Sequence, residues 1–239
     1  MKRLFLDQLL YLWQIVRFRF IFWVLIIDLL IITQSILFGS NPKFSPLLTW
    51  FQGIDLLSVS QHHVEMPITW LIYFLTPLLV ILNSFQDLWS IRGQQLRGQQ
   101  YSLGNFLITN LELMGIITFA FNMLTELPII IFTYIFGPFN LKMGRFHGLK
   151  ALLILIIINF LGIFLLLVLQ AVISRYNAPL GIVIPLVLLI ITAYTSWPLN
   201  PLNSLMILRV GNANIISMLC TIIVVTILYL FSNHRINLD

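Results

Sequence analysis

The chain has 239 residues, of which 59% are hydrophobic and only 9% are charged, and its formal net charge is +5. A soluble domain of this length has no way to bury so much Leu, Ile, Phe and Val without exposing large apolar patches, so the composition excludes a soluble globular protein and predicts a polytopic membrane protein. Because basic loop ends beside lipid headgroups explain the positive charge, we do not expect nucleic-acid binding.

The first 19 residues mix basic and amide side chains with Leu, Trp and Phe. This pattern favours an amphipathic helix that lies in the plane of the membrane interface. We therefore predict an interface helix, residues 1–19, followed by a single membrane domain, residues 20–239. A simple N-terminal extension of the first span is the alternative. No small-residue cleavage pattern follows the first apolar stretch, so a removed signal peptide is not expected.

Six stretches are apolar enough to cross about 30 Å of hydrocarbon, which takes about 20 residues of helix. They comprise residues 20–38, 68–85, 105–136, 149–172, 180–194 and 215–231. The third is either one long tilted helix or two short ones broken around residues 122–128. We keep one helix, because residues 126–136 alone are too short to span unless they are re-entrant. The predicted fold is an all-α integral membrane protein with six transmembrane helices.

Two connections between spans carry aromatic residues that are typical of membrane interfaces. The loop at residues 39–67 contains Trp50 and Phe51, which we expect to rest on the outer headgroups. Residues 196–214 are apolar in patches but interrupted by Pro and Asn, so we predict a re-entrant segment before the last span. In this segment Trp197 is expected at the interface, with Arg209 reaching lipid headgroups. A plain external loop is the alternative.

The distribution of basic residues predicts the orientation of the chain, because cytoplasmic loops are enriched in Lys and Arg. With six spans and a cytoplasmic N-terminus, eight basic residues face the cytoplasm and five face outwards. Splitting the third stretch changes the ratio to ten against three, so charge alone favours the split and length opposes it. We predict six spans, with both termini in the cytoplasm.

Three carboxylates lie inside apolar stretches, namely Asp28, Glu112 and Glu126. Each costs about 2.5–3.5 kcal/mol at the centre of a membrane helix, so such residues face a bundle interior or a cavity. They are candidates for contact with a cationic substrate or for a proton relay. The structural alternative is pairing with Asn122, Asn159 or a neighbouring helix end.

Motifs for catalysis and metal binding are missing from the sequence. There is no G-x-x-x-x-G-K-[ST] phosphate loop, no H-E-x-x-H and no spacing typical of a nucleophile elbow. The adjacent His62 and His63 do not easily turn towards one tetrahedral metal site, even with Glu65 nearby. We predict no catalytic residue, no metal site and no cofactor in this chain. We therefore predict that the protein is not an enzyme.

The most polar segment lies between two long apolar stretches and reads W-S-I-R-G-Q-Q-L-R-G-Q-Q-Y-S-L-G over residues 89–104. Two arginines and four glutamines in so short a stretch must face water or a partner. We interpret the segment as a docking element. An ordinary charged cytoplasmic turn is the alternative.

The order of these features resembles the membrane subunits of ATP-binding-cassette (ABC) exporters of the type-2 permease family. The resemblance covers nearly the whole chain and rests on five successive segments. They read Q-I-V-R-F-R-F at residues 14–20, D-L-W-S-I-R-G-Q-Q-L-R-G-Q-Q-Y at 87–101, N-F-L-I-T-N-L-E at 105–112, W-P-L-N-P-L-N-S-L-M-I-L-R at 197–209 and F-S-N-H-R-I-N-L-D at 231–239. The turn at residues 87–101 is richer in glutamine than is usual in this family.

The resemblance implies that residues 90–102 form a coupling helix that inserts into a groove of a separate ATPase subunit. The implied docking contacts are Arg92, Gln94, Gln95, Arg97, Gln99 and Tyr101. Arg92 and Arg97 are five residues apart and do not share one helix face, which leaves one of them free to bind lipid phosphate.

The function implied by the resemblance is that of a permease subunit in a bacterial cell membrane, exporting a hydrophobic or amphipathic peptide, lipid or drug. Its partners are then an ABC ATPase subunit, which holds ATP and magnesium, a second permease copy or a paralogue, membrane lipid and the cargo. Two alternatives stay open. One is a transporter driven by an ion gradient through Asp28, Glu112 and Glu126, and the other is a non-transporting immunity or scaffold protein.

Overall fold

The structure, a computed structural model, describes residues 2–41, 44–61, 65–88, 103–136 and 141–234, which are almost entirely helical. In chain order the α-helices are α1 (Lys2–Phe38), α2 (Pro46–Phe51), α3 (Leu56–Ser60), α4 (Ile68–Val80), α5 (Ser84–Asp87), α6 (Leu103–Phe136), α7 (Gly148–Ser174), α8 (Ala178–Tyr194) and α9 (Asn212–His234). A small hairpin pairs β1 (Lys142–Met143) with β2 (Phe146–His147). Two 3₁₀ helices, Pro201–Leu205 and Ile207–Arg209, separate α8 from α9.

Five helical segments in the described part of the chain are long and apolar enough to cross a membrane, and one of them, Ile68–Asp87, contains both α4 and α5. Their surfaces are apolar, since Phe18, Leu29 and Ile223 are 71%, 65% and 58% exposed. Polar side chains such as Asn122 and Asn159 are buried instead. An apolar exterior around buried polar groups is the arrangement that lipid requires. The all-α membrane fold is therefore confirmed at this level, and the chain is built as a multi-pass membrane protein.

The helix α8 is the shortest of the predicted spans. Its 17 residues extend only about 25 Å, at the lower limit of the length that crosses the hydrocarbon. It is apolar throughout, but it does not belong to the five long helices. The count of six transmembrane helices therefore stays a prediction.

The third apolar stretch forms one continuous helix, α6, with Pro128 in its interior. The second stretch is interrupted, because α4 ends at Val80 and Asn83 adopts a left-handed conformation before α5. Side chains from neighbouring helices bind the carbonyl groups near this break. Gln170 Nε2 donates to Leu78 O over 3.0 Å, and Arg19 Nη1 donates to Leu82 O over 2.7 Å.

The predicted interface helix and the predicted first span form one helix, α1, without a break at Arg19. Its 37 residues extend about 55 Å, well beyond the hydrocarbon thickness. Because Arg19 lies at the end of α4, the part of α1 before it extends past that end. This continuity fits the alternative of an N-terminal extension, and the in-plane location of residues 1–19 stays a prediction.

Contacts between helix ends show how the long helices are oriented relative to one another. At one end, Gly39 after α1 lies against Phe136 at the end of α6, so these two helices run parallel. At the other end, Arg19 binds the end of α4. Arg175, which follows α7, lies near Tyr229 of α9 at that same end. We name the two ends of the bundle the Arg19 end and the Arg209 end, the latter containing Gly39, Phe136 and the segment around Arg209.

The first loop folds into the bundle and does not rest on the membrane surface. Trp50 and Phe51 of α2 are 0% and 1% exposed, and the Phe51 ring packs on Tyr73 with 4.8 Å between ring centroids. The backbone N–H of Leu47 donates to Thr133 Oγ1 over 3.1 Å, which fixes α2 to α6. The prediction that these aromatic residues lie at the headgroups was wrong, because α2 supplies core residues.

The segment between α8 and α9 is also packed against the bundle. Leu202, Asn203 and Leu205 are buried, and Trp70 Nε1 donates to Leu205 O over 3.0 Å. Trp197 is 61% exposed, as an interfacial position requires. Arg209, however, is 3% exposed, so the prediction that it reaches lipid headgroups was wrong. The re-entrant position of the segment stays a prediction.

A turn at Gly53 allows the first loop to contact this segment. Gly53 has φ +69°, and a Cβ atom there would overlap the Met206 side chain. The close approach allows the backbone N–H of Leu208 to donate to Gln52 O over 3.2 Å. We expect Gly53→Ala to lower the free energy of unfolding by about 2 kcal/mol, from the strained φ and the displaced Met206. Thermal unfolding of the purified protein in detergent measures the change.

The matched control is Gly211→Ala, since no atom lies within 4 Å of a Cβ atom at Gly211. This variant is expected to unfold within about 0.5 kcal/mol of the wild type. Equal stability of both variants would contradict the tight contact at Gly53.

Candidate functional site

The segment predicted to dock an ATPase is flanked by helices at the Arg19 end. The predicted docking residues Arg92, Gln94, Gln95, Arg97, Gln99 and Tyr101 lie outside the described residues. Before them, α5 is held at the Arg19 end because Arg19 Nη2 lies 3.4 Å from Ser84 Oγ. After them, α6 begins at the end opposite Phe136. The described helices on either side of the segment, α5 and α6, therefore end and begin at the Arg19 end.

The three intramembrane carboxylates do not form one site. Glu112 and Glu126 are 14 residues apart on α6, which corresponds to about 21 Å along the helix axis. Asp28 lies on α1, partly exposed, and its Oδ1 atom has no hydrogen-bond partner within the described ranges. No group of three metal-ligating side chains occurs among the residues that the structure describes.

Glu126 lies in a buried polar cluster in the middle of the bundle. It is 3% exposed, and Asn159 Nδ2 of α7 donates to its Oε1 atom over 2.7 Å. The Tyr73 hydroxyl lies 3.3 Å from the same oxygen and 3.1 Å from Asn122 Oδ1. Thr125 Oγ1 is 3.3 Å from the Tyr73 hydroxyl. The pairing of a carboxylate with Asn122 or Asn159, the structural alternative, is therefore what the structure shows for Glu126.

Two oxygen atoms in this cluster lack a donor. Tyr73 carries one hydroxyl hydrogen, which serves Asn122 or Glu126 but not both at once. Glu126 Oε2 and Asn159 Oδ1 are buried without a hydrogen-bond partner in the described part of the protein. Among the described residues the cluster therefore contains more acceptors than donors.

A groove opens at the side of the bundle between α1 and α6, and we call it the α1–α6 groove. Its volume is about 820 Å³. The walls are apolar and consist of Phe5, Leu6, Ile116, Phe119 and Phe160. Thr109, Glu112 and Gly115 complete the lining. Of the three predicted contact carboxylates, Glu112 is the one that lines this groove.

Glu112 carries the polar chemistry of the α1–α6 groove. Its side chain is exposed, and it makes no hydrogen bond or ion pair to any residue in the described ranges. The Thr109 hydroxyl already donates to Asn105 O over 2.8 Å. No atom lies within 4 Å of a Cβ atom at Gly115, so the groove is open there. The groove therefore presents one carboxylate on an apolar surface.

A second cavity, which we call the loop cavity, lies at the Arg209 end and has a volume of about 690 Å³. Loop residues around α2 and α3 line it, and two of them, Asp55 and Glu65, carry carboxylates. None of the predicted contact residues Asp28, Glu112 and Glu126 lines this cavity.

Arg209 is held by carbonyl groups at this end of the bundle. Its Nε donates to Ile54 O over 2.6 Å, and its Nη1 donates to Thr192 O over 2.6 Å. Nη2 donates to Ala193 O over 3.1 Å, and Nη1 also lies 3.2 Å from Asn203 Oδ1. Burial lowers the pKa of the Arg209 guanidinium, while the carboxylate of Asp55 acts in the opposite direction. A guanidinium stays protonated in proteins, so it joins α8 to the first loop as a charged donor.

Sequence reasoning missed Tyr73 and the burial of Arg209. A tyrosine within a predicted span is a signal for a buried hydroxyl that needs a partner, and it identifies Tyr73. Arg209 has no such signal, because its acceptors are backbone carbonyls from separate segments.

No family model matches the chain, and neither a curated protein nor a solved structure shows significant similarity to it.

Proposed function

We propose that this chain is the membrane-spanning permease subunit of an ABC exporter, of the type-2 permease kind, driven by a separate ATPase subunit. The observation that carries the proposal is that the described helices on either side of the polar segment, residues 89–102, end and begin at the Arg19 end. Because the chain has no phosphate-binding loop of its own, ATP and magnesium would be held by the partner.

The proposal requires the Arg19 end to face the cytoplasm, and the basic residues support this orientation. Five of them outside the segment belong to this end, namely Lys2, Arg3, Arg17, Arg19 and Arg175. At the other end, Arg209 is buried and bound by carbonyls, so it is not a free loop charge. Removing it from the count changes the sequence ratio from eight against five to eight against four. A bacterial cell membrane with both termini cytoplasmic fits this orientation.

The helix α6 offers a route by which docking would move the cargo site. Its 34 residues begin directly after the polar segment and extend about 50 Å to Phe136. The same helix supplies Glu112 and Phe119 to the α1–α6 groove. Movement of the docking segment by an ATPase would therefore move one wall of the groove. A second permease copy or a paralogue would complete the transporter in the lipid bilayer.

The test is purification of the tagged chain from native membranes, with identification of any ATPase subunit that accompanies it. We expect Arg92→Glu combined with Arg97→Glu to reduce the accompanying ATPase at least tenfold, because two attractive charges become repulsive. The matched control is Lys142→Glu combined with Arg145→Glu, which reverses two exposed charges at the Arg209 end.

Retention of the ATPase after both reversals at Arg92 and Arg97 would contradict the docking proposal, and so would a wild-type chain that purifies without any ATPase. Protection that persists with a catalytically dead ATPase would favour the non-transporting immunity or scaffold alternative.

A transporter driven by an ion gradient is the second candidate, because Glu126 is a carboxyl group held in the middle of the bundle. It predicts that Glu126→Gln abolishes transport while changes at Arg92 and Arg97 do not. The separation of Glu112 from Glu126 along α6 gives no continuous relay among the described residues, which is why we prefer the ATP-driven function.

A further inference from the structure

The α1–α6 groove has the size and lining of a small-molecule site. Its volume of about 820 Å³ lies within the range of about 300–1,000 Å³ that is usual for ligand pockets. Such pockets are mostly apolar, with a few polar groups that fix the orientation of the ligand. In this groove three of the five apolar side chains are aromatic, and the charged group is one carboxylate.

The lining from α6 forms one stripe along that helix. Glu112, Ile116 and Phe119 follow one another at the spacing of one helix face, and Gly115 lies beside them. Glu112 lies about 12 Å along α6 from Gly104, so its carboxylate belongs to the first half of the predicted span. Glu112 has no ion-pair partner among the described residues, so a cation beside it would meet an uncompensated negative charge on an apolar surface.

We propose that the α1–α6 groove binds an amphipathic cation that enters from the lipid. Its positively charged group would lie against Glu112, and its hydrocarbon body would pack on Phe119 and Phe160. The aromatic faces add cation–π attraction, which favours quaternary ammonium or phosphonium groups. An anion would be repelled by Glu112, and a sugar would leave its hydroxyl groups unpaired against the apolar walls.

This inference names the class of cargo for the proposed exporter. It rests on the proposed function only in calling the bound molecule a cargo, because binding itself needs neither an ATPase nor ATP. Binding and docking can therefore be tested independently of each other.

The probe is radiolabelled tetraphenylphosphonium, measured by equilibrium binding to the full chain in phosphatidylcholine nanodiscs. Tetraphenylborate, which has nearly the same shape and the opposite charge, is the matched ligand control. We expect saturable, protein-dependent binding of the phosphonium and no saturable, protein-dependent binding of the borate. Glu112→Gln is expected to weaken phosphonium binding at least tenfold. Glu65→Gln removes a carboxylate from the loop cavity and is expected to change nothing.

A second pair of variants fills the groove without touching the charge. Gly115→Trp places an indole where a Cβ atom meets open space, so we expect a folded protein that no longer binds the phosphonium. Gly115→Ala adds only a methyl group and is expected to bind it. A thermal unfolding midpoint close to that of the wild type shows that Gly115→Trp is folded.

Several results would overturn the inference. They are equal binding of the phosphonium and the borate, full affinity after Glu112→Gln, and full affinity in a folded Gly115→Trp protein. A wild-type dimer that binds no phosphonium and becomes monomeric after Gly115→Trp would show instead that a second copy fills the groove. Loss of binding after Glu112→Gln together with ATPase retention after the reversals at Arg92 and Arg97 would leave the groove site standing and reject the docking proposal.

Discussion

Replacing Arg209 by methionine is expected to lower the free energy of unfolding by about 3–5 kcal/mol, because several buried carbonyl groups lose a charged donor and each such loss costs about 1–3 kcal/mol. Methionine keeps much of the side-chain length but no donor, so the carbonyl groups of Ile54, Thr192 and Ala193 lose their partners. Because Arg209 is buried in the protein, water cannot reach all of these carbonyl groups to replace the lost donor. Thermal unfolding and the yield of monodisperse protein in detergent measure the loss.

Two further variants separate the geometry of Arg209 from its charge. Arg209→Lys keeps the charge but replaces five fixed donors by three. We therefore expect its free energy of unfolding to lie between that of the wild type and that of Arg209→Met. Asp55→Asn removes the nearby negative charge, which has no direct hydrogen bond to Arg209 within the described residues. This change is expected to cost no more than about 1 kcal/mol. Two results would contradict the binding of Arg209 by carbonyl groups. One is an Arg209→Met variant as stable as the wild type, and the other is an Asp55→Asn variant as unstable as Arg209→Met.

The long apolar helices were predictable from the sequence because a bilayer imposes a length and a composition on each segment that crosses it. The described helices α6, α7 and α9 cover the predicted stretches 105–136, 149–172 and 215–231 and extend beyond them by a few residues. The helix breaks were harder to predict. The interruption of the second stretch depends on Asn83, whose left-handed conformation is supported by contacts from α1 and α7.

The positions of Trp50 and Arg209 were not predictable in the same way. Hydropathy assigns aromatic and basic residues in connecting segments to the headgroup region, but tertiary contacts override that preference here. Arg209 binds Ile54, which lies 155 residues earlier, and the acceptor is a backbone carbonyl that every residue type has. Only the fold brings this pair together.

The candidate site was predictable in part. The carboxylates of Glu112 and Glu126 were identified as unusual because charge is costly in lipid, and Asn159 was named in advance as a possible partner. Their different environments were not foreseen, since they depend on which face of α6 packs against α7 and which borders α1. The α1–α6 groove depends on how α1, α6 and α7 pack together, a relation that hydropathy does not contain.

Replacing Asn159 by leucine is expected to destabilise the protein more than replacing Glu126 by glutamine. The leucine variant removes the Nδ2 group that donates to Glu126 Oε1 over 2.7 Å and leaves this oxygen with the longer contact to the Tyr73 hydroxyl, at 3.3 Å. A loss of about 1–3 kcal/mol is usual when a buried polar group is left without its partner. Glu126→Gln has nearly the same shape, and its amide hydrogen is available to the unpartnered Asn159 Oδ1 atom. We expect this variant to be at least as stable as wild type.

The pair also allows a double-mutant cycle, because Glu126 and Asn159 are in direct contact. Glu126→Leu alone leaves Asn159 unpartnered, and we expect it to cost a similar amount to Asn159→Leu. When both positions carry leucine, no polar group of the pair remains to be satisfied, so the double variant should recover at least half of the loss of either single variant. Unfolding midpoints of the four proteins in one detergent give the coupling. Additive losses would show that the two side chains act independently. A Glu126→Gln variant as unstable as Glu126→Leu would show that the glutamine amide does not donate a hydrogen bond to Asn159 Oδ1.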